Sequence, residues 1–278
     1  MIEITSMLPD NTTTTFSNND LILLTKAKQQ MEDIGWAMKG INSVGNVLQN
    51  KIELLPEKQQ KWLQKISYDI LLKVVKTNLF SMKSAKKNTS PLNKTYKAVV
   101  TSSGILGGTF GVAAFTADLA LTTKLMMRSI MDIARSEGED LQELDTQLAC
   151  LQVFALGGKS KHDDNLETGY YATRITLNTT VRGATKSASI MVSGLLKGSS
   201  NPIMQVLGAV ASRFSIQVSE KFVAQAIPIL GTAGGGAINL AFIHHFQNMA
   251  QAHFTIRKLE RTYGEDAVRK AYEGITIA

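Results

Sequence analysis

The 278-residue sequence has a single cysteine, Cys150, so no disulfide can close within the chain. A secreted fold stapled by disulfides is therefore excluded. Cys150 lies in the apolar run Leu148 to Leu156 and reads as a small buried hydrophobe. Proline is also scarce. There are five, with none between Pro91 and Pro202. A proline in a helix interior costs about 3 kcal/mol, so so long a stretch without one suits long helices. Period-2 alternation bounded by hairpin turns is missing, and so is any short internal repeat. The first 20 residues lack the basic start and apolar core of a signal peptide. They are rich in Thr and Asn and are expected to form a flexible tail (1–20), with a helical domain over 21–278. The expected location is cytoplasmic.

What is present points to an all-α fold, a single multi-helix domain with glycine-rich, close-packed helices. Hydrophobic residues make up 44% of the chain, too many for disorder. Leu21 to Gln49 carries apolar residues on 3 and 4 spacings. Pro56 stands at a natural first helical position, and Trp62, Ile66, Ile70 and Val74 recur every four residues. An amphipathic helix is expected over Glu57 to Lys83, then a loop over Asn88 to Asn93. Ala98 to Ala117 has no charge and contains Gly104, Gly107, Gly108 and Gly111. Its length would allow a membrane span, but Thr101, Ser102, Ser103, Thr109 and Thr116 dilute it. The glycines read as close helix packing or a turn. Further helices are expected over Asp118 to Ser136, Leu141 to Leu156 with Asp140 as cap, and a long pattern to about Leu196 broken near Gly183. Ile203 to Ala226, Gly236 to Tyr263 and Asp266 to Tyr272 complete the set. Pro228 and Gly231 are expected to break the chain.

Few patterns carry chemistry. Gly231-Thr-Ala-Gly234-Gly235-Gly236 could cradle a phosphate, but no Lys-Ser or Lys-Thr follows and no strand precedes it. A tight turn is the expectation there, and no cofactor is expected. The histidines are His162, His244, His245 and His253, and no HExxH is present. His245 and His253 are eight residues apart, about 80° around a helix, so no metal is expected. His162-Asp163-Asp164 reads as a solvated loop, and no GxSxG elbow occurs.

Two helical faces are polar enough to matter. Asn239, Phe242, Phe246, Ala250, His253, Arg257 and Glu260 share one; Asp118, Thr122, Leu125, Ser129 and Asp132 share the other. Two readings stand. In one, the faces meet and Asp118 or Asp132 satisfies Arg257, His253 or Arg174. In the other they line an acid–base pocket, with Asp118, Asp132, His253, Arg257 and Glu260 as catalytic candidates.

Charge layout adds a third theme. The net charge is +7. Residues 70–117 hold Lys73, Lys76, Lys83, Lys86, Lys87, Lys94 and Lys97 and no acid. Residues 168–219 hold Arg174, Arg182, Lys186, Lys197 and Arg213, again without an acid. Lysines that run into an uncharged segment fit an anionic membrane surface, at about 1 kcal/mol per basic residue. A plain solvated lysine face fits as well. Nucleic acid is not an expected partner, because no reading helix, aromatic pair or zinc module accompanies the charge.

Several blocks in order resemble the EcsC family. They are Asp118-Leu-Ala-Leu-Thr-Thr, Arg128-Ser-Ile-Met-Asp-Ile-Ala-Arg-Ser-Glu-Gly-Glu, Cys150-Leu-Gln-Val-Phe-Ala-Leu-Gly-Gly, and Tyr170-Tyr171 with Arg174. The C-terminal block runs from Gln225 through Pro228, Gly231 and Asn239 to His245-Phe246, His253-Phe254, Arg257, Glu260 and Tyr263-Gly264. The resemblance spans Leu21 to Tyr272 and is strongest after Asp118. It implies a mainly bacterial family named for a gene beside an ABC transporter linked to exoprotein secretion and competence. It implies no defined reaction; the protease label some members carry finds no motif here. The leading expectation is a non-enzymatic peripheral protein at the inner membrane, an accessory to transport or secretion, with anionic lipid and transport machinery as partners. A hydrolase around Asp118, Asp132, His245 and His253 is the second reading, and a nucleic-acid binder the third.

Overall fold

The computed structural model describes residues 15–32, 55–78, 90–107, 111–156, 170–182, 202–226 and 228–277. Nine α-helices and no strand occur among them, as the 3- and 4-residue apolar spacing predicts. They are α1 (Asn18–Glu32), α2 (Glu57–Asn78), α3 (Asn93–Gly107), α4 (Gly111–Ser136), α5 (Leu144–Gln152), α6 (Tyr170–Arg182), α7 (Pro202–Ala226), α8 (Pro228–Tyr263) and α9 (Glu265–Gly274). A 3-10 turn, Val153–Ala155, extends α5.

Helix α8 is the axis. At 36 residues it spans about 54 Å. It packs against α1, α3, α4, α7 and α9, and its longest seam is with α3. Phe154, Phe214, Phe242 and Phe246 interlock around its middle, with ring centroids 5.1 Å apart for Phe154 and Phe214 and 5.2 Å for Phe242 and Phe246. A second aromatic contact joins α2, α4 and α7 through Trp62, Phe115 and Phe222. Helix α2 buries Leu63, Ile66, Ile70, Leu71, Val74 and Val75, one stripe at 3 and 4 spacing, against α7 and α4. One hydrophobic core results.

Several boundaries differ from the sequence reading. The break expected after Pro228 is absent: Pro228 is the first residue of α8, and Gly231 to Gly236 are helical. Proline suits that first position because its missing N–H would have no helical partner there. The interior glycines weaken the helix by roughly 0.5–1 kcal/mol each relative to alanine. The glycine-rich phosphate turn is therefore not formed. The uncharged run 98–117 is instead divided between α3 and α4, and α4 starts at Gly111 with φ 73°. Helix α5 starts at Leu144 rather than Leu141. Asp140 does not cap it; its Oδ1 accepts the Gln142 N–H at 3.0 Å within the preceding loop. The stretches 33–54, 79–89, 157–169 and 183–201 lie outside the described residues, and with them His162, Lys83, Lys86, Lys87 and the expected break near Gly183.

Residues 1–14 also lie outside the described residues, but the end of the expected tail is held. Ser17 caps α1 by accepting the Asp20 N–H at 3.1 Å. Tyr263 donates to Asp20 at 2.6 Å, and the Phe16 ring lies 4.4 Å from that of Tyr263. Lys28 of α1 reaches the end of α9, donating to the Tyr272 and Ile275 carbonyls at 2.9 and 2.8 Å.

Helix α4 ends in a Schellman turn. Gly138, with φ 89°, donates to the Arg135 carbonyl at 3.1 Å, and Glu139 donates to that of Ala134 at 3.0 Å. That turn sets the backbone of Glu139, whose carboxylate sits at the centre of an ion-pair cluster described below. Space exists for a methyl at Gly138, with the Arg261 Nη2 3.7 Å from it, so backbone strain decides the cost. Gly138→Ala is expected to lose about 1–2 kcal/mol, read as a lower denaturant midpoint at unchanged slope.

Candidate functional site

The two polar faces do meet, since α4 packs on α8, but the partners are not those the sequence suggested. Asp118 takes its cation from α7. Lys221 Nζ, fully buried, donates to Asp118 Oδ2 at 2.7 Å, and Asn239 Nδ2 donates to Oδ1 at 2.7 Å. The Lys221 ammonium also lies 5.1 Å from the centre of the Phe242 ring. Burial pulls the Lys221 ammonium below its ordinary pKa, while the Asp118 carboxylate opposes that shift. Lys221 escaped the sequence reading, although a signal was available. It continues the apolar stripe Val210, Phe214, Val218 of α7, where a charge needs a buried partner.

Asp132 sits fourteen residues along α4 from Asp118, about 21 Å in a helix. It accepts from Tyr96 at 3.1 Å and pairs with Arg135 at 3.0 Å. Burial and the Asp132 charge push the Tyr96 phenol up to about 12. Arg257 turns to the Schellman turn: its Nε lies 2.8 Å from Glu139 Oε1 and its Nη2 2.7 Å from Asp145. Arg261 also pairs with Glu139, and Thr146 donates to it at 2.9 Å. Burial would raise the Glu139 carboxyl, but Arg257 and Arg261 overrule it and hold its pKa below the ordinary carboxylate value.

The C-terminal half of α8 meets α6. Arg174 Nη1 lies 2.6 Å from Glu260 Oε1 and 3.1 Å from the Tyr170 hydroxyl oxygen. Tyr171 donates to Glu260 at 3.0 Å. The Tyr170 hydroxyl is 2.8 Å from His253 Nδ1. Arg174 donates to that hydroxyl oxygen, which leaves the Tyr170 proton free for His253 Nδ1; accepting it keeps the imidazole hydrogen on Nε2, a buried atom with no hydrogen-bond partner among the described residues. Burial first, then Arg174 and Arg257, hold His253 well below the usual imidazole range, so it is neutral. His245, eight residues before it and about 12 Å along the helix, is buried elsewhere on α8 and stacks edge-on to Phe246.

The catalytic candidates are thus distributed rather than gathered. Asp118 joins Lys221 and Asn239; Asp132 joins Tyr96 and Arg135; Arg257 joins Glu139; His253 and Glu260 join through Tyr170 and Arg174. No group of three or more His, Cys, Asp or Glu able to hold a metal occurs among the described residues. Cys150 is buried, and its thiol is pushed up by that burial.

A sequence model of the EcsC protein family matches residues 18–259. The chain belongs to the EcsC protein family. No curated protein and no solved structure matches it significantly. In this EcsC protein the matched span begins at the first residue of α1 and takes in most of α8. Glu260, Tyr263 and α9, which the resemblance had included, stand outside it.

Two predictions test the structural assignment of these charges. Asp118→Ala and Lys221→Met each leave a buried charge unpaired and are expected to cost roughly 3–5 kcal/mol, whereas the double variant Asp118→Leu/Lys221→Met loses far less. Arg257→Ala also destabilises, though less, because buried Glu139 keeps Arg261 and Thr146 as partners and Asp145 is exposed. Wild-type melting of the single variants would contradict the buried pairing.

His253 gives a pH signature. Its folded pKa lies below the unfolded value near 6.5, so on acidification the unfolded chain takes up a proton that the folded chain refuses. Stability present above about pH 6.5 is therefore lost at about 1.4 kcal/mol per pH unit below it, down to the folded pKa. Unfolding free energies from denaturant titrations at several pH values should fall with acidification more steeply for wild type than for His253→Gln, by that amount; parallel plots against pH would refute a neutral buried His253.

Proposed function

We propose that this EcsC-family protein works as a peripheral attachment to anionic membranes, as an accessory to transport or secretion. The observation that carries the reading is the surface around α3 and the start of α4. Lys94 is exposed there, and large apolar side chains of the same elements are also left in solvent: Leu92 at 56%, Val99 at 47% and Val112 at 57%. No carboxylate occurs anywhere in residues 70–117. Basic heads beside exposed aliphatic groups suit an interface where lipid phosphates meet acyl chains. Lys73 on α2 is exposed as well, whereas Lys76 and Lys97 are half-buried. No helix among the described residues is long and apolar enough to cross a membrane, so the reading is surface attachment.

The internal ion pairs favour this over hydrolysis, because each catalytic candidate has a structural partner. Liposome co-sedimentation tests it. Wild type should sediment with anionic vesicles and not with neutral ones, and a variant with Lys83, Lys86 and Lys87 changed to Gln should sediment less. Attachment by charge weakens with salt, as the Debye length falls from about 10 Å at 0.1 M to about 3 Å at 1 M. Equal sedimentation with both lipids, or no loss in the variant, would sink the electrostatic mechanism.

A further inference from the structure

Helices α3 and α8 run antiparallel, and their contacts fix the register. Gln247 donates to the Asn93 carbonyl at 3.2 Å, and Asn239 donates to that of Val100 at 3.3 Å. Between these two donor–acceptor pairs, on the outer edge of the seam, Lys97 Nζ stands 2.8 Å from His244 Nδ1. Two basic groups thus face each other with no carboxylate between them. Helix α3 contains no acid, and α8 contains none before Glu260. Lys94 lies one turn from Lys97, and Asn248 Nδ2 is 3.5 Å from His244 Nε2. Leu240, one turn before His244 on α8, is 39% exposed.

We propose that Lys97 and His244, with Lys94 beside them, form an anion site that takes the phosphate of an anionic phospholipid headgroup. The source of the phosphate rests on the membrane reading above; the site itself does not. Without an anion, His244 must stay neutral at Nδ1 to accept from the Lys97 ammonium. Burial lowers the pKa of both groups, and the Lys97 charge lowers that of His244 further. A phosphate with several acceptor oxygens accepts from the ammonium and from a protonated imidazole at once, replacing a contact between two bases by two charge-assisted hydrogen bonds. Leu240, exposed one turn from His244, then lies where the glycerol and upper acyl chain would be.

The test has two arms on the full chain. In the first, inorganic phosphate is titrated while the imidazole signals of His244, assigned with His244→Gln, are followed by NMR. A saturable shift of His244, lost in Lys97→Gln but kept in the control Lys270→Gln, is expected. In the second, sedimentation with phosphatidylcholine vesicles is compared with and without phosphatidic acid. Lys97→Gln and His244→Gln are each expected to bind the acidic vesicles about fivefold more weakly than Lys270→Gln, which removes the same charge elsewhere. If wild type binds acidic vesicles and all three variants bind equally, the site is refuted while the membrane reading stands. If no vesicle binds but phosphate still shifts His244, the membrane reading fails and the site serves a free phosphate. No saturable shift and no loss of vesicle binding overturns the inference.

Discussion

Burial of α8 is the constraint on which the rest of the structure depends. From Ile238 to Leu259 most of its side chains are buried against neighbouring helices, with Leu240, His244 and Lys258 left exposed, so its buried polar side chains must find partners inside the protein. They do so against a succession of different elements. Asn239 reaches Asp118 of α4 and the backbone of α3. Gln247 reaches Ser129 of α4 at 2.8 Å. His253 and Glu260 meet α6, and Arg257 meets the turn after α4. A slip of one residue along α8 would leave several buried donors unmatched, each at about 1–3 kcal/mol. The polar ladder therefore fixes the register that the aromatic packing around Phe242 and Phe246 would tolerate less strictly.

The same ladder consumes the charges that a catalytic reading would need. A general base has to be free to take a proton, and a carboxylate held by a buried ammonium or a pair of guanidiniums is not. Asp118 and Glu139 are in that position, and His253 has its one accepting nitrogen occupied by Tyr170. Glu220 differs, since burial raises its carboxyl to about 7 and its Oε2 has no hydrogen-bond partner among the described residues. No metal-ligand cluster includes it among those residues, so it adds a titratable group without assembling a metal site.

Much of this was legible in the sequence where a single helix sufficed to carry the information. The periodicity of Leu63 to Val75 marks the buried stripe of α2, and Gly138 marks the end of α4, because both depend on neighbours close in the chain. That the Asp118 face and the His253 face are buried followed from their apolar middles. The choice of partners did not follow. Lys221 is 103 residues from Asp118, and Glu139 is 118 from Arg257. Which charge meets which depends on how helices cross, and no local spacing encodes that. Pro228 misled for a related reason: proline marks a helix start as readily as a break, and no residue beside it in the chain decides between them.

The α3–α8 seam shows what the ladder leaves over. Where the seam faces inward, each contact joins a donor to an acceptor, Gln247 to Asn93 and Asn239 to Val100. At its outer edge Lys97 meets His244, which can accept only while it stays neutral, and a carboxylate on either helix there would have been the better structural partner. The inner contacts are what a protein uses to hold its fold. The outer one is under-satisfied, half in solvent, and lies one turn from the exposed Leu240, on a stretch of two helices that carries no acid. A fold that elsewhere neutralises Lys221, Arg174 and Arg257 with carboxylates is able to place such partners. Among the described residues no carboxylate pairs with Lys97, which makes the edge of this seam, rather than the charged interior, the place where an external anion has something to gain.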